Sequence, residues 1–293
     1  HELTADAETA LKNLVSFPEV KEVPLNLQEH TDRIEELFKG VRYKEIIGEI
    51  SQIEKINSPM PGRFYFFLSN AHRGLRDRKT ANSALKKFVK LYPHHAQIEE
   101  AKFNIGRNLW NLGQPLVGAK YFNEVATENP SSDLAVKSWF FLGKIYEERK
   151  NYPESLKHYQ IALDKYPEDH YGQWAGWRLG WVNYLDGKFD KALEHFQDAA
   201  KRFPEGPFVE YNLYWSAKSA EKLGNKENAR EIFVKVSNLY PYTFHGISAK
   251  EQLLKAGINP ASFSNVSQES KNLGDGKENL AKLGRKLDGR EQF

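Results

Sequence analysis

Pro93, Pro130, Pro167, Pro204 and Pro241 recur at intervals of 37 residues, so the chain is built from stacked copies of one small unit. Four further columns keep the same phase. Gly106, Gly143, Gly180 and Ala217 form a column of small residues, and Gly118, Ser155, Ala192 and Ala229 form a second. Phe122, Tyr159, Phe196 and Phe233 form an aromatic column, and Gly113, Lys150, Gly187 and Gly224 a turn column. Each has a physical task. Small side chains let two helices cross closely. The aromatic column is expected to fill the space between neighbouring units. Gly113, Gly187 and Gly224 can adopt the left-handed conformation that ends a helix. The prolines stop the second helix of each unit. Between the markers the spacing is helical: Trp139, Leu142, Gly143 and Tyr146 share one face. Each unit therefore reads as a helical hairpin, and stacking hairpins buries an apolar seam that no single unit could bury alone. The expected fold is all-α: a right-handed, curved solenoid of six or seven hairpins with a groove.

These residues resemble the tetratricopeptide repeat, whose pattern is a Trp, then Leu-Gly, Tyr, a small residue, an aromatic, Ala and Pro. Trp139, Leu142, Gly143, Tyr146, Ser155, Tyr159, Ala162 and Pro167 match it in turn. The next unit keeps Leu179, Gly180, Ala192, Phe196, Ala199 and Pro204 but has Gly176 at the Trp position, with Trp177 beside it. The period exceeds that family's usual length of about 34 residues, so the turns should carry a few extra residues.

Composition removes several classes of function. Without cysteine the chain has no disulfide scaffold, thiol nucleophile, thiolate zinc site or iron–sulfur cluster. A net charge of +3 is too small to argue for nucleic-acid binding. No apolar run is long enough to span a membrane. No Gly-x-Ser-x-Gly or glycine-rich phosphate loop occurs, because the glycines follow the repeat. His94-His95 reads as a solvent-exposed turn pair, and no histidine is expected to fall four residues from a carboxylate, so no metal site is expected. No cofactor is expected. The run Arg73–Lys79 (RGLRDRK) is a basic cluster at a hairpin turn. It reads as a solvated turn or as a contact for an acidic partner. The chain starts at His1 and has one methionine, Met60, as expected of a processed or trimmed protein.

Residues 1–26 are expected to form an N-terminal strap and 27–92 degenerate hairpins, the first turning at Gly40 and the second irregular. Residues 93–256 hold the regular repeat, 257–276 a polar linker and 277–293 a C-terminal helix that begins a further region. Tyr242 to Leu254 reads as a first helix without a partner, so either more chain or another protein should cover this end.

The stretch Tyr211–Leu254 is more specific. Its Tyr-Trp-Ser-Ala helix, its Asn-Ala-Arg helix and the run Pro241-Tyr242-Thr243-Phe244-His245-Gly246-Ile247-Ser248-Ala249 resemble the last repeats before the catalytic domain of soluble lytic murein transglycosylases. That resemblance extends more loosely back to Arg63. It implies a bacterial, periplasmic parent whose superhelical region positions peptidoglycan strands or embraces a lysozyme-like domain. The family's acid is a Glu followed by Ser, with Gly-Leu-Met-Gln soon after. Here Glu154-Ser155 falls in a repeat turn, Glu269-Ser270 in the polar linker, and no Gly-Leu-Met-Gln exists. The catalytic domain is absent, and this chain is not expected to be an enzyme. The alternative is a stand-alone periplasmic adaptor that binds protein partners.

The groove of such a superhelix is lined by first helices, and the register supplies its columns. One reads Arg107, Lys144, Trp181, Lys218; another Trp110, Glu147, Tyr184, Glu221; a third Phe103, Phe140, Trp177, Tyr214; a fourth Glu100, Lys137, Trp174, Tyr211. Trp174, Trp177, Trp181 and Tyr184 make a stripe along one helix face. Such a stripe can be a platform for a sugar ring or a protein side chain, flanked by Arg107, Lys144 or Lys218 to meet a carboxylate. It can equally be core packing. Trp181 replaces charged residues in its column and is expected in the groove, whereas Trp177 is expected in the core.

Overall fold

A computed structural model describes residues 9–10 and 25–259. Over residues 25–259 it contains thirteen helices and no strand. They are α1 (Leu27–Lys39), α2 (Tyr43–Ile56), α3 (Gly62–Gly74), α4 (Arg78–Leu91), α5 (Ile98–Asn111), α6 (Pro115–Glu128) and α7 (Asp133–Glu148). There follow α8 (Tyr152–Lys165), α9 (His170–Leu185), α10 (Phe189–Arg202), α11 (Val209–Lys222), α12 (Lys226–Leu239) and α13 (Phe244–Lys255). Within each compact unit successive helices pack on one another, as in a helical solenoid of the tetratricopeptide type. Six hairpins are followed by one further first helix, α13. The strap before residue 25, the linker from residue 260 and the helix at 277–293 lie outside the described residues, apart from residues 9–10.

The period is most regular where the chain turns. First helices end at Gly74, Asn111, Glu148, Leu185 and Lys222, and second helices begin at Arg78, Pro115, Tyr152, Phe189 and Lys226, each set stepping by 37 residues. In each turn one residue takes the left-handed conformation: Arg76 (φ 63°), Gly113 (φ 76°), Lys150 (φ 57°), Gly187 (φ 74°) and Gly224 (φ 78°). A three-residue reversal between antiparallel helices needs this geometry, so it persists where glycine is replaced by a long cation. The hairpin α3–α4 obeys the same register and is not irregular: Ser69, Ala81 and Leu85 continue the two small columns and the aromatic one. In the first hairpin the left-handed residue is Val41, while Gly40 has φ −82°.

The column Gly106, Gly143 and Gly180 is a row of seats for rings, and here an expectation is corrected. The aromatic column fills space within each unit, not between units. A Cβ at Gly143 would lie 2.6 Å from the Tyr159 ring, and one at Gly106 would lie 3.0 Å from Phe122. Gly180 faces Phe196 in the same way. Phe122, Tyr159 and Phe196 are fully buried. In α5, α7 and α9 the first helix offers a gap of one side chain, and the second helix of the same hairpin fills it with a ring.

The chain divides into two compact units at residues 138 and 139, inside α7. In the first, Ile34, Ile46, Ile50, Ile53, Phe64 and Phe88 form the core. In the second, buried Phe140, Tyr159, Leu179, Phe196 and Leu213 alternate along the hairpins. Caps fall where the helices need them. Asp77, Asn151 and Asn225 accept hydrogen bonds from the first-turn amides of α4, α8 and α12, and Asp169 and Thr243 from those of α9 and α13.

Candidate functional site

The second unit brings four large rings of α9 and α11 onto one face. Trp177 stacks on Trp181 at 5.8 Å between centroids and 11° between planes, and Trp181 stacks on Tyr184 at 5.9 Å and 5°. Spacings of four and three residues put successive side chains above one another on a helix, which produces the ladder. Trp215 of α11 meets it edge-on, 4.7 Å from Trp181 and 5.1 Å from Tyr184, at 72° to both. Edge-to-face contact directs the positive ring edge at the negative π face. The four rings are half-buried, and Tyr211 beside Trp177 is 41% exposed. Burial raises the Tyr184 hydroxyl above its ordinary pKa, with a smaller opposing effect from Lys218, so it remains a neutral donor.

A buried polar pair underlies the ladder. Arg178 Nη1 donates to Glu147 Oε1 at 3.0 Å, and the two side chains are only 13% and 9% exposed. The Tyr159 hydroxyl donates to Glu147 Oε2 at 2.8 Å, and burial together with that carboxylate pushes its pKa well above the usual range. The Arg178 guanidinium also lies over Trp177, 4.9 Å from the ring centre. Glu147 on α7, Tyr159 on α8 and Arg178 on α9 thus tie three successive helices together under the rings.

Not every residue expected at the face is there. Tyr214 is 9% exposed and packs among Phe233, His245 and Trp215, in the core. Trp174 stacks on Phe208 and lies 4.5 Å from the Phe140 centroid, so its ring serves the packing of successive hairpins. Trp177, expected in the core, is half-buried like Trp181. Lys144 and Lys218 are paired with Glu148 and Glu221 on their own helices. Arg107, exposed, and Trp110, half-buried, belong to the first unit. Sequence reasoning missed Trp215 and Arg178. Both stand in a fifth column, Asn104, Phe141, Arg178 and Trp215, so the register itself held the signal.

The Glu154-Ser155 pair offers no shaped acid site. Glu154 lies in the first turn of α8 and faces Lys157 at 3.5 Å, while Ser155 is buried and donates to the Gly143 carbonyl at 2.9 Å. Glu269 lies outside the described residues. Contrary to the expectation from sequence, a histidine does stand four residues from a carboxylate: Glu154 Oε2 and His158 Nε2 are 3.8 Å apart, but His158 is buried between the rings of Trp139 and Tyr146. Among the described residues no group of three or more ligating side chains could hold a metal, and no helix is long and apolar enough to cross a membrane.

Comparison with known proteins agrees with this architecture. Tetratricopeptide-repeat family models match residues 133–205 and 211–241, so these segments are tetratricopeptide repeats. Among solved structures the chain is similar to PilW, described as a widely conserved type IV pilus biogenesis factor, at 18% identity and a TM-score of 0.50, covering 76% of this chain and 99% of that one. It is also similar to MamA from Desulfovibrio magneticus RS-1, at 20% identity and a TM-score of 0.49 over 62% of this chain and 97% of that one. YrrB, a TPR protein with an unusual peptide-binding site, matches at 16% identity and a TM-score of 0.49 over 69% of this chain and 97% of that one. At such identities the likeness is one of fold. No curated protein matches the sequence.

Proposed function

We propose that this chain is a non-catalytic scaffold that binds a segment of a protein partner on the ring face of α9 and α11. The observation that carries this reading is the edge-on contact of Trp215 with Trp181 and Tyr184, which joins the rings of two repeats into one half-buried aromatic surface. Large, stiff rings lose little conformational freedom on binding, and Trp and Tyr dominate interface hot spots. YrrB, whose description includes a peptide-binding site, accords with it as an analogy of fold alone. The test is cross-linking and affinity capture from the source cells with the native chain and with the Trp181→Ala and Trp215→Ala variants. Partners retained by the native chain should be lost by both variants, and capture unchanged in both would refute the reading.

A second reading is favoured by the stretch Tyr211–Leu254. We infer from its resemblance that the partner segment belongs to a murein-cleaving enzyme of the periplasm, carried on the same polypeptide. In the motif, Thr243 caps α13, His245 meets Glu210 at 3.0 Å, Gly246 lies against the Tyr240 carbonyl and Ala249 is buried in the core, so these residues have structural tasks. Tyr242 and Phe244 are 93% and 77% exposed, which supports a neighbour that covers them. The intact mass of the natural protein distinguishes the readings. A mass equal to this chain would leave the adaptor, and a larger mass with a lysozyme-like sequence beyond Phe293 would establish the enzyme scaffold.

A further inference from the structure

The repeat register runs into α13. Gly172 and Gly246 stand two periods apart, and a Cβ at either would run into a backbone carbonyl, that of Tyr166 or of Tyr240. The same register puts Leu254 in the column of Gly106, Gly143, Gly180 and Ala217. In α5, α7 and α9 that column is the gap into which the second helix presses its ring. At Leu254 a side chain replaces the gap, and the place of the ring, one period after Phe233, is taken by Ser270. Seat and ring are lost together. The turn moves as well: the left-handed residue is Gly257 (φ 75°), ahead of Ala261, which holds the register place.

What α13 presents instead is an open apolar face. Phe244, Ile247 and Leu254 share one side of the helix and are 77%, 49% and 55% exposed. His245, Ala249 and Leu253, on the other side, are buried, and α13 packs on α11 and α12. One period earlier than Glu251 and Leu254 stand Tyr214 and Ala217, both buried, with Tyr214 against Phe233 of α12. The open face is therefore the side of a first helix that its own second helix covers. A solenoid end left so apolar needs a cap.

A matching segment lies further along the chain, outside the described residues. Leu273-Gly274-Asp275-Gly276-Lys277-Glu278-Asn279 repeats Leu223-Gly224-Asn225-Lys226-Glu227-Asn228, the turn that opens α12, with one glycine added. Asn225 caps α12 through the Asn228 amide, and Asp275 offers the same kind of cap. Beyond it Leu280, Leu283 and Leu287 recur at helical spacing. Residues 277–287 carry no ring, as suits a face whose seat Leu254 already fills, and Ala281 and Gly284 leave room for that side chain. The intervening residues 260–276 reach up to about 55–60 Å when extended. A helix of the length of α13 is only about 18 Å long, so the segment can return to either end of it.

We propose that residues 277–287 form a helix that packs on Phe244, Ile247 and Leu254 and closes the solenoid as the second helix of a seventh hairpin. The occupant of the open face is this chain's own tail. The proposal rests on neither reading given for the partner, and its failure would leave the ring face as it stands.

The chain has no cysteine, so an engineered pair reports a single contact. In the whole chain, Leu254→Cys is combined with Leu280→Cys or with Leu283→Cys and oxidised mildly. The faster of these pairs should form an internal disulfide at least about tenfold faster than Leu254→Cys with Arg285→Cys, which lies on the opposite side of the tail helix. In hydrogen exchange, amides of 280–287 should be slowed at least about tenfold in the native chain. Leu254→Asp, a change at an exposed site, should abolish that protection while α11 and α12 exchange as before, which separates a lost contact from lost folding. Equal oxidation rates in contact and control pairs would overturn the proposal, as would a native tail without protection or protection that survives Leu254→Asp. So would disulfides that join two chains together with a doubled mass in solution, since the face would then belong to a second copy.

Discussion

The ring of Tyr159 rests against the backbone of Gly143, so close that a Cβ there would lie 2.6 Å from two of its carbons. The ring cannot retreat, because it is fully buried and its hydroxyl is held by Glu147 at 2.8 Å. Gly143→Ala should therefore destabilise the chain by about 1–3 kcal/mol through overpacking. Gly187→Ala meets no neighbour but would force φ 74° on an L residue, and should cost about 1–2 kcal/mol. Denaturant midpoints would check both, and a neutral Gly143→Ala would mean that the seat yields.

Lys150 occupies the left-handed turn position that glycine holds at residues 113, 187 and 224. Lys150→Gly should relieve backbone strain and raise stability by about 0.5–1 kcal/mol, the gain being reduced by the extra freedom of glycine in the unfolded chain. Lys150→Ala should give no such gain, since alanine meets the same restriction. Thermal unfolding of the two variants tests this directly.

Glu147 and Arg178 are buried together, so removing one strands the other. Arg178→Met should cost about 3–5 kcal/mol. Adding Glu147→Gln should recover part of that loss, because the stranded charge disappears. A double-mutant cycle in chemical denaturation measures the coupling, and strictly additive losses would show that the pair is not coupled.

The pH dependence follows from two histidines of the second unit. Burial lowers the pKa of His158, held between Trp139 and Tyr146, and that of His195. In the unfolded chain a histidine takes up its proton at about pH 6.5. Between that pH and the lower folded-state values, the unfolded chain binds more protons. Stability is thus full above about pH 6.5 and falls as the pH drops toward the folded-state values. The double variant His158→Gln, His195→Gln should show a flatter midpoint-against-pH profile between neutrality and pH values near 5, at some loss of stability at neutral pH; an unchanged slope would assign the effect to other groups.

At the ring face, Trp181→Ala and Trp215→Ala should each weaken partner binding by about 1–3 kcal/mol. Because both rings are half-buried against each other, each variant should also lower the unfolding free energy by about 1–2 kcal/mol. Affinity by calorimetry and stability by denaturation, measured on the same samples, separate the two effects.

Much of this molecule can be read from spacing alone. The columns at Gly113, Lys150, Gly187 and Gly224 place every turn of the later hairpins, because a reversal between antiparallel helices has one geometry and few residues tolerate it. The same period carries the proline stops and the small residues at helix crossings. What spacing could not tell was the direction of each ring. Tyr214 and Trp215 are neighbours in sequence, yet one is buried among Phe233 and His245 while the other lies edge-on to Trp181. A helix face is about a hundred degrees wide, so residues at its border are assigned only by the helices packed on either side. For the same reason Arg178, an ordinary charged residue in the sequence, becomes a buried ion only when α7 brings Glu147 within 3.0 Å. Local periodicity set the hairpins and their turns; the packing of α7, α9 and α11 decided which of their side chains meet and which remain open to a partner.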